Sequence, residues 1–449
     1  MTGLFGTDGI RGVANRDLTP ELAMSVGRAA AVVAAGKGRP GRVVVGRDTR
    51  PSGPMLEDAV ISGLLSAGAE VLKLDVIPTP AVAYLTRQFG ADLSVVISAS
   101  HNPAEYNGLK LFDKSGFKFS LSDEDAVEKI VLKSAAALNQ PAGKRLGSVL
   151  DMAAEGRRRY IDHVTMCLPA CPEGWRVTLD CAYGAAYALA GVAFQTAGAT
   201  VAVINGQPQG DKINVECGST NPLCVRDDVL ARADGRIGLA FDGDGDRVIG
   251  VDEDGNICDG DYIMAIVGVY LKETGRLSRN TLVTTVMTNC GFDLAMSEHG
   301  ISIRKADVGD RFVLAELLEN ELNFGGEQSG HIIFLDHNTT GDGIITGLML
   351  LSLMAESGRT LKDLKTVLRK LPQVLINVRV VEKTGLDRAD VVWEEVRLCE
   401  QKLAGRGRVL VRPSGTEPFI RVMVEAETEE AAGDIAGRLA ALVEREMGV

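Results

Sequence analysis

Apolar residues fall into a pattern that recurs three times along the chain. The first copy opens on the apolar triplet Val43-Val44-Val45, continues through helical spacing near Met55 to Ser66, and becomes extended again at Gly68-Ala69-Glu70-Val71-Leu72. The second runs through Val177-Thr178-Leu179, a helix, and Gly198-Ala199-Thr200-Val201-Ala202-Val203. The third has Leu282-Val283-Thr284, a helix, and Gly300-Ile301-Ser302-Ile303. In each copy a glycine stands where a helix needs a C-terminal cap before the next strand. Each copy then reaches a third strand that ends in a polar loop: Leu93 to Ile97, Ile237 to Phe241, and Leu322 to Phe324. A further short strand follows each loop, at Leu109 to Phe112, Val248 to Val251, and Ile332 to Leu335. Alternating strands and helices predict layered α/β sheets, whose ligands gather beyond the carboxyl ends of the strands. The three loops are therefore where chemistry is expected.

Past Pro372 the pattern changes. A strand from Val374 to Val381 precedes a helix with apolar Val392, Val396, Cys399 and Leu403, spaced i, i+4, i+7, i+11. Two strands follow, Val409 to Arg412 and Ile420 to Glu425, then a helix using Ile435, Leu439 and Leu442. Glu429 and Glu430 fall in its first turn, where the helix dipole favours acids. The reading gives three similar α/β domains, 1–155, 156–255 and 256–371, and an α+β domain, 372–449. That is four domains, where 449 residues at roughly 150 per domain suggest about three.

Composition narrows the partners. Lys plus Arg total 48 against 60 Asp plus Glu, a net charge of −12, which argues against nucleic acid or an anionic membrane as partner. An anionic ligand would require positive charge gathered locally. Hydrophobic residues make up 45% of the chain, which excludes disorder as its main state. The charge-free stretch from Cys181 to Gly210 is mostly Ala, Gly and polar residues split by Gly198, and lacks the run of about 20 apolar residues that a membrane span needs. No basic start followed by an apolar run opens the chain, so a soluble cytoplasmic protein with eight free cysteines is expected.

The first loop, Ser98-Ala99-Ser100-His101-Asn102-Pro103, displays a hydroxyl beside an imidazole at a strand end. Such a hydroxyl can be a nucleophile or phosphate carrier if something activates it, although most Ser-His pairs are ordinary loop residues. The second loop, Asp242-Gly243-Asp244-Gly245-Asp246-Arg247, is more specific. Three carboxylates so close repel one another unless a cation holds them, and oxygen-only ligands suit Mg²⁺. An EF-hand needs glycine where Arg247 stands, and helices where the flanks read as strands. A solvated acidic turn is the other alternative. The third loop, Gly325 to His331, sets Glu327, Gln328, Ser329 and His331 on a glycine-rich turn suited to sugar hydroxyls, or to a purely structural turn. Near the C-terminus, Arg412-Pro413-Ser414-Gly415-Thr416-Glu417-Pro418, with Arg421, has the makings of an anion nest. Arg11 lies on another glycine-rich segment, and Lys110 just beyond the serine loop. Neither a phosphate-binding P-loop nor a dinucleotide fingerprint is present.

Taken in order, Phe5 to Gly12, Ser98 to Pro103, Asp242 to Arg247, Gly325 to His331 and Arg412 to Pro418 resemble the α-D-phosphohexomutase family, over nearly the whole chain. The resemblance implies a heart-shaped enzyme of four domains, the last of which rotates. It implies that Ser100 is a phosphoserine whose phosphate, with Asp242, Asp244 and Asp246, holds Mg²⁺. Glu327 and Ser329 would grip sugar hydroxyls, and Arg412, Ser414, Gly415, Thr416 and Arg421 the non-reacting phosphate. Arg11, His101, Lys110, Arg247 and His331 match family positions around the transferring phosphoryl. Ser100 would phosphorylate one end of the sugar, and the bisphosphate would turn over before returning its other phosphate. Glu327-Gln328-Ser329 resembles the glucosamine type, implying interconversion of glucosamine 6-phosphate and glucosamine 1-phosphate through glucosamine 1,6-bisphosphate, for UDP-N-acetylglucosamine synthesis. Rival readings are a glucose or mannose phosphomutase, a Mg²⁺-dependent sugar phosphatase and a non-enzymatic sugar-phosphate sensor. A homodimer is compatible with the sequence.

Overall fold

The computed structural model describes residues 3–6, 8–35, 41–133, 141–414 and 418–448. Its first sheet contains β1 (Ile10–Val13), β2 (Arg42–Arg47), β3 (Glu70–Val76), β4 (Leu93–Ile97), β5 (Tyr106–Asp113) and β6 (Ser148–Asp151), in the order β1-β5-β4-β2-β3-β6. The second holds β7 (Arg176–Asp180), β8 (Thr200–Ile204), β9 (Ile237–Phe241), β10 (Val248–Val251) and β11 (Ile257–Cys258), in the order β11-β10-β9-β7-β8. The third is β13-β12-β14-β15, from β12 (Thr281–Thr285), β13 (Ser302–Ala306), β14 (Phe324–Gly326) and β15 (Ile332–Phe334). One frame recurs in all three: a middle strand, flanked on one side by the second strand of its copy and on the other by the third. The third strand, β4, β9 or β14, runs parallel to the middle one and pairs antiparallel with a return strand. Each polar loop joins a third strand to its return strand.

The cap glycines have the geometry expected of them. Gly68, Gly198 and Gly300 have φ of +92°, +107° and +62°. The amide after each donates to the carbonyl five residues back: Ala69 to Leu64 at 3.1 Å, Ala199 to Phe194 at 3.0 Å, and Ile301 to Met296 at 2.8 Å. One helix-ending device is thus used three times.

Burial on both faces explains why the central strands read as apolar runs rather than alternations: Val43, Val44 and Val45 are all buried, as is every residue of β4 and β9. Helices Pro20–Ala35 and Gly53–Ala67 cover part of the first sheet through Val26, Leu56, Val60 and Leu64. Helix Gly343–Ser357 is buried almost all round. No single helix among the described residues is long and apolar enough to cross a membrane. Several sheet features depart from the sequence expectation, among them the unforeseen edge strand β11. Edge strand β6 exposes all four residues and so carries no hydrophobic signal. Edge strand β1, read only as a glycine-rich segment, is short and half-buried. Strand β14 is shifted toward Gly325 and Gly326, where a Cβ on Gly325 would stand 2.6 Å from the Val283 carbonyl oxygen. Close strand approach selects a residue of poor β propensity there.

The chain forms two compact units, residues 1–286 with 303–365, and 287–302 with 366–449. In the second, β16 (Gln373–Arg379), β17 (Arg408–Pro413) and β18 (Phe419–Glu425) make an antiparallel sheet ordered β16-β18-β17. Helices Asp390–Leu403 and Glu429–Met447 share its core through Val396, Ile420, Val422 and Leu439. Helix Cys290–Glu298, although it follows β12, is part of this unit. Its first amide, on Cys290, donates to Glu425 Oε2 at 2.7 Å. Glu425 is fully buried and accepts two bonds from Arg408, at 2.9 and 3.1 Å. Arg408 also donates to the Met287 carbonyl at 3.3 Å.

Candidate active site

The loop after β4 presents Ser100 with its backbone in the left-handed region, φ +51°, and almost no solvent exposure. Its Oγ donates to Asp242 Oδ2 at 2.7 Å and stands 3.4 Å from His101 Nδ1. Burial, with Arg247 and Arg11 adding to it, pushes the His101 pKa down to about 4, so this imidazole is neutral at pH 7.

Asp242, Asp244 and Asp246 occupy the loop from β9 to β10, all buried, with one oxygen of each within 4.8 Å of the others. A Cβ on Gly243 would lie 2.6 Å from the Ser100 carbonyl oxygen, so the serine and aspartate loops pack backbone to backbone. Burial raises the Asp242 pKa well above the carboxylate range, and Asp246 and Asp244 raise it further. Asp244 Oδ1 and Asp246 Oδ1 are buried without a hydrogen-bond partner. Buried, converging, unsatisfied carboxylate oxygens are a donor set that suits a hard divalent cation.

The local positive charge is Lys110 on β5, whose Nζ lies 2.9 Å from Asp244, 3.4 Å from Asp246 and 3.4 Å from Asp8. Burial would lower its pKa, but Asp244, Asp8 and Asp246 together raise it well above the ordinary value. Thr79 holds Asp244 from the other side, its hydroxyl donating at 2.6 Å and its amide donating to the Asp244 carbonyl at 2.9 Å. Arg247 Nε lies 3.8 Å from Asp246, and Arg11 donates to Asn102 Oδ1 at 3.2 Å and to the Ala99 carbonyl at 3.3 Å.

The loop from β14 to β15 brings Glu327, Ser329 and His331 to the same place. Glu327 Oε1 accepts the Gly309 amide at 3.0 Å, and buried His331 points Nδ1 at Asp246 Oδ1, 3.6 Å away. Burial opposes protonation of His331, but Asp246, Asp310 and Glu327 outweigh it and raise its pKa. Its Nε2 accepts the Gly341 amide at 3.1 Å, which places a proton on Nδ1, facing Asp246. A cleft of about 940 Å³ is lined by Arg11, His101, Asp246, Arg247, Glu327, Ser329 and His331 among others. Ser100 and Lys110 join that wall through His101 and Asp246. All the expected site residues of the first three domains therefore converge.

Asp8, Lys118 and Asp310 were not among the expected residues, yet Lys118 Nζ bridges the Asp8 and Asp310 carboxylates at the cleft, and Asp8 also pairs with Arg11. Asp8 could have been found, since it shares the glycine-rich segment of Arg11. Lys118 and Asp310 are far apart in sequence and belong to no local pattern.

In the second unit, Arg412 and Arg421 are directly opposed across the β17–β18 pair. Burial and Arg421 hold the Arg412 pKa below its ordinary value. Two guanidiniums at opposed positions of adjacent strands match a phosphate's oxygens. Ser414 is buried beside them, its amide donating to the Phe419 carbonyl at 2.8 Å. Gly415 and Thr416 lie outside the described residues.

Four family descriptions match in succession: phosphoglucomutase/phosphomannomutase α/β/α domain I at residues 2–137, domain II at 158–255, domain III at 259–371, and the C-terminal domain at 375–442. The chain belongs to the phosphoglucomutase/phosphomannomutase family. It is 51% identical over 438 residues to the phosphoglucosamine mutase of Moorella thermoacetica, an alignment covering 97% of this chain and 98% of that one. Among solved structures it is similar to a phosphoglucomutase/phosphomannomutase family protein of Burkholderia thailandensis, with TM-score 0.81, 24% identity, and 98% and 97% of the two chains covered. It is also similar in fold to the N-acetylphosphoglucosamine mutase of Aspergillus fumigatus in complex with GlcNAc-6P and magnesium, with TM-score 0.68, 19% identity, and 98% and 95% covered. As a phosphoglucomutase/phosphomannomutase family member the chain is a phosphohexomutase, an enzyme that moves a phosphoryl group within a sugar phosphate.

Proposed function

We propose that this phosphohexomutase interconverts glucosamine 6-phosphate and glucosamine 1-phosphate through a phosphoserine at Ser100 and glucosamine 1,6-bisphosphate, supplying UDP-N-acetylglucosamine synthesis. The observation that carries the mechanism is the 2.7 Å bond from Ser100 Oγ to Asp242, inside a buried carboxylate triad and beside the buried Lys110 ammonium. The specificity rests on the 51% identity to a phosphoglucosamine mutase and on Glu327-Gln328-Ser329.

Asp242, Asp244 and Asp246, with a phosphate on Ser100, would hold Mg²⁺, which when bound neutralises charge on the phosphoryl oxygens and on the serine oxygen. In the forward half-reaction the P–O bond to Ser100 Oγ breaks as a bond forms to the sugar hydroxyl oxygen, the hydroxyl gives up its proton, and Ser100 Oγ ends protonated as a free hydroxyl. Arg11 and Arg247 bring guanidinium charge to the oxygens in transit. In the return half-reaction, when the Ser100 hydroxyl attacks, neutral His101 at 3.4 Å from Oγ is able to take up the hydroxyl proton. Glu327 and Ser329 orient the sugar through its hydroxyls. Arg412, Ser414, Gly415, Thr416 and Arg421 hold whichever phosphate is not reacting, so either orientation of the bisphosphate is retained. Residues 1–155 thus carry the nucleophile, 156–255 the metal, 256–371 the sugar contacts and 372–449 the distal phosphate.

Intact-mass measurement of the purified enzyme tests the central step. A phosphate-sized increment on Ser100 that is discharged by glucosamine 6-phosphate is expected. Coupled assays on glucosamine, glucose and mannose 6-phosphates should rank glucosamine first, and a higher kcat/KM on glucose or mannose would reassign the substrate. Free phosphate released in step with substrate loss would reassign the enzyme as a phosphatase.

A further inference from the structure

Ser100 is a non-glycine residue in the left-handed region, a conformation that persists only when its surroundings over-determine it. Two side chains supply that constraint from different domains. Arg50, on the loop after β2, is completely buried. Its Nη2 donates to the Ser100 carbonyl at 2.9 Å and to the Asn102 carbonyl at 2.7 Å. Its Nη1 donates to the Tyr106 carbonyl at 2.9 Å and to the Pro103 carbonyl. One guanidinium therefore takes four carbonyls of the nucleophile loop. Asn214, on the loop after β8, donates from Nδ2 to the same two oxygens, Ser100 at 2.9 Å and Asn102 at 3.3 Å.

The amide side of Ser100 is tied into the same circuit. Its N–H donates to Ser98 Oγ at 2.9 Å, the Ser98 hydroxyl donates to Asp48 Oδ2 at 2.6 Å, and Asp48 accepts Arg50 Nε at 2.9 Å. The ring closes from the Ser100 amide, through Ser98, Asp48 and Arg50, to the Ser100 carbonyl. The two domains meet closely beside it. The Thr49 hydroxyl donates to the Tyr183 carbonyl at 2.6 Å, and a Cβ on Gly210 would stand 1.8 Å from the Thr49 carbonyl oxygen.

We propose that Arg50 and Asn214 are positioning residues for phosphoryl transfer, clamping the Ser100 peptide from two domains so that Oγ stays in register with the aspartate loop. The proposal rests on Ser100 being the phosphoryl carrier. Neither side chain is among the residues lining the cleft, so loosening the clamp should affect the chemical step and leave ground-state sugar binding nearly intact.

The deciding variant is Asn214→Gly. Position 214 has φ +60°, which glycine adopts without strain, so the backbone survives while the side-chain donor is lost. With glucosamine 6-phosphate and Mg²⁺, kcat is expected to fall about 10- to 100-fold while KM stays within about twofold. The ³¹P resonance of the phosphoserine should broaden or shift, at a melting temperature near that of the parent. Arg50→Lys, whose single ammonium cannot span four carbonyls, should give the same kcat-selective loss. If Asn214→Gly does not fold, Asn214→Asp, of the same size and also tolerant of positive φ, makes the same comparison. Parental kcat and a parental ³¹P signal in a folded Asn214 variant would overturn the clamp while leaving Ser100 as carrier. Full activity in Ser100→Ala would overturn the carrier, and the clamp with it.

Discussion

Ser100 combines a 2.7 Å hydroxyl bond to buried Asp242 with a backbone conformation that serine rarely adopts, and both bear on its proposed role as phosphoryl carrier. Ser100→Ala should lower mutase activity by several orders of magnitude without loss of fold, as measured by a coupled assay and by melting. Lys110 neutralises the acidic cluster in a buried setting, so replacing it leaves Asp8, Asp244 and Asp246 short of positive charge. Lys110→Met should cost about 3–5 kcal/mol of stability. Its melting temperature should then climb more steeply with added Mg²⁺ than that of the parent, because a bound cation would replace the missing charge. Two imidazoles also make stability depend on pH. Burial holds both His101 and His163 down at about 4, whereas in the unfolded chain they titrate near about 6.5. The unfolded state therefore binds more protons in that window, and stability should fall as pH drops from about 6.5 toward 4. Urea midpoints across this range check it. His163→Phe, which keeps the stack on Tyr84 at 3.9 Å, should flatten the fall.

At the scale of elements, hydrophobic pattern and turn chemistry agree closely where both faces of a strand are buried. The apolar runs at Val43 to Val45 and Ile237 to Phe241 appear as strands, and the glycine after each helix marks its end, because burial and backbone sterics are local properties of the chain. Gly198→Ala forces a Cβ onto a φ of +107° and to 2.8 Å from Cys171 Sγ. It should cost about 1–2 kcal/mol in denaturant titrations while leaving kcat intact. What the pattern hides has a physical reason in each case. Strand β6 is exposed on every residue, and β14 uses glycines where strands approach too closely for a side chain. The site divides in the same way. Ser100 and the three aspartates lie in compact motifs with an unusual local composition. Lys118 and Asp310, by contrast, owe their role to an ion pair between residues 192 positions apart, and Arg50 to carbonyls up to 56 positions away. Such partners become visible only when the fold brings them together.

For the molecule as a whole, a net charge of −12 coexists with a cleft lined by Arg11 and Arg247, so the acidic surface and the phosphate-seeking site are separate properties. Chelation should expose the dependence on a cation. Dialysis against EDTA should abolish turnover, and Mg²⁺ should restore it, whereas Na⁺ at equal ionic strength should not. Truncation after Leu371 removes Glu425, Arg408 and the sheet beside which helix Cys290–Glu298 is held. The shortened chain should melt lower and aggregate, as light scattering during a thermal ramp would report.

The bond between Cys290 and Glu425 also has a consequence in time. A ribosome adds residues at roughly 5–20 per second, so the carboxylate that receives the helix's first amide emerges roughly ten seconds after the helix itself. Throughout that interval the nascent helix waits for an acceptor that has not yet been made. The third repeat therefore cannot be completed in the order in which it is translated. Its last step belongs to a chain that is nearly finished, and a holding chaperone would have most to protect there.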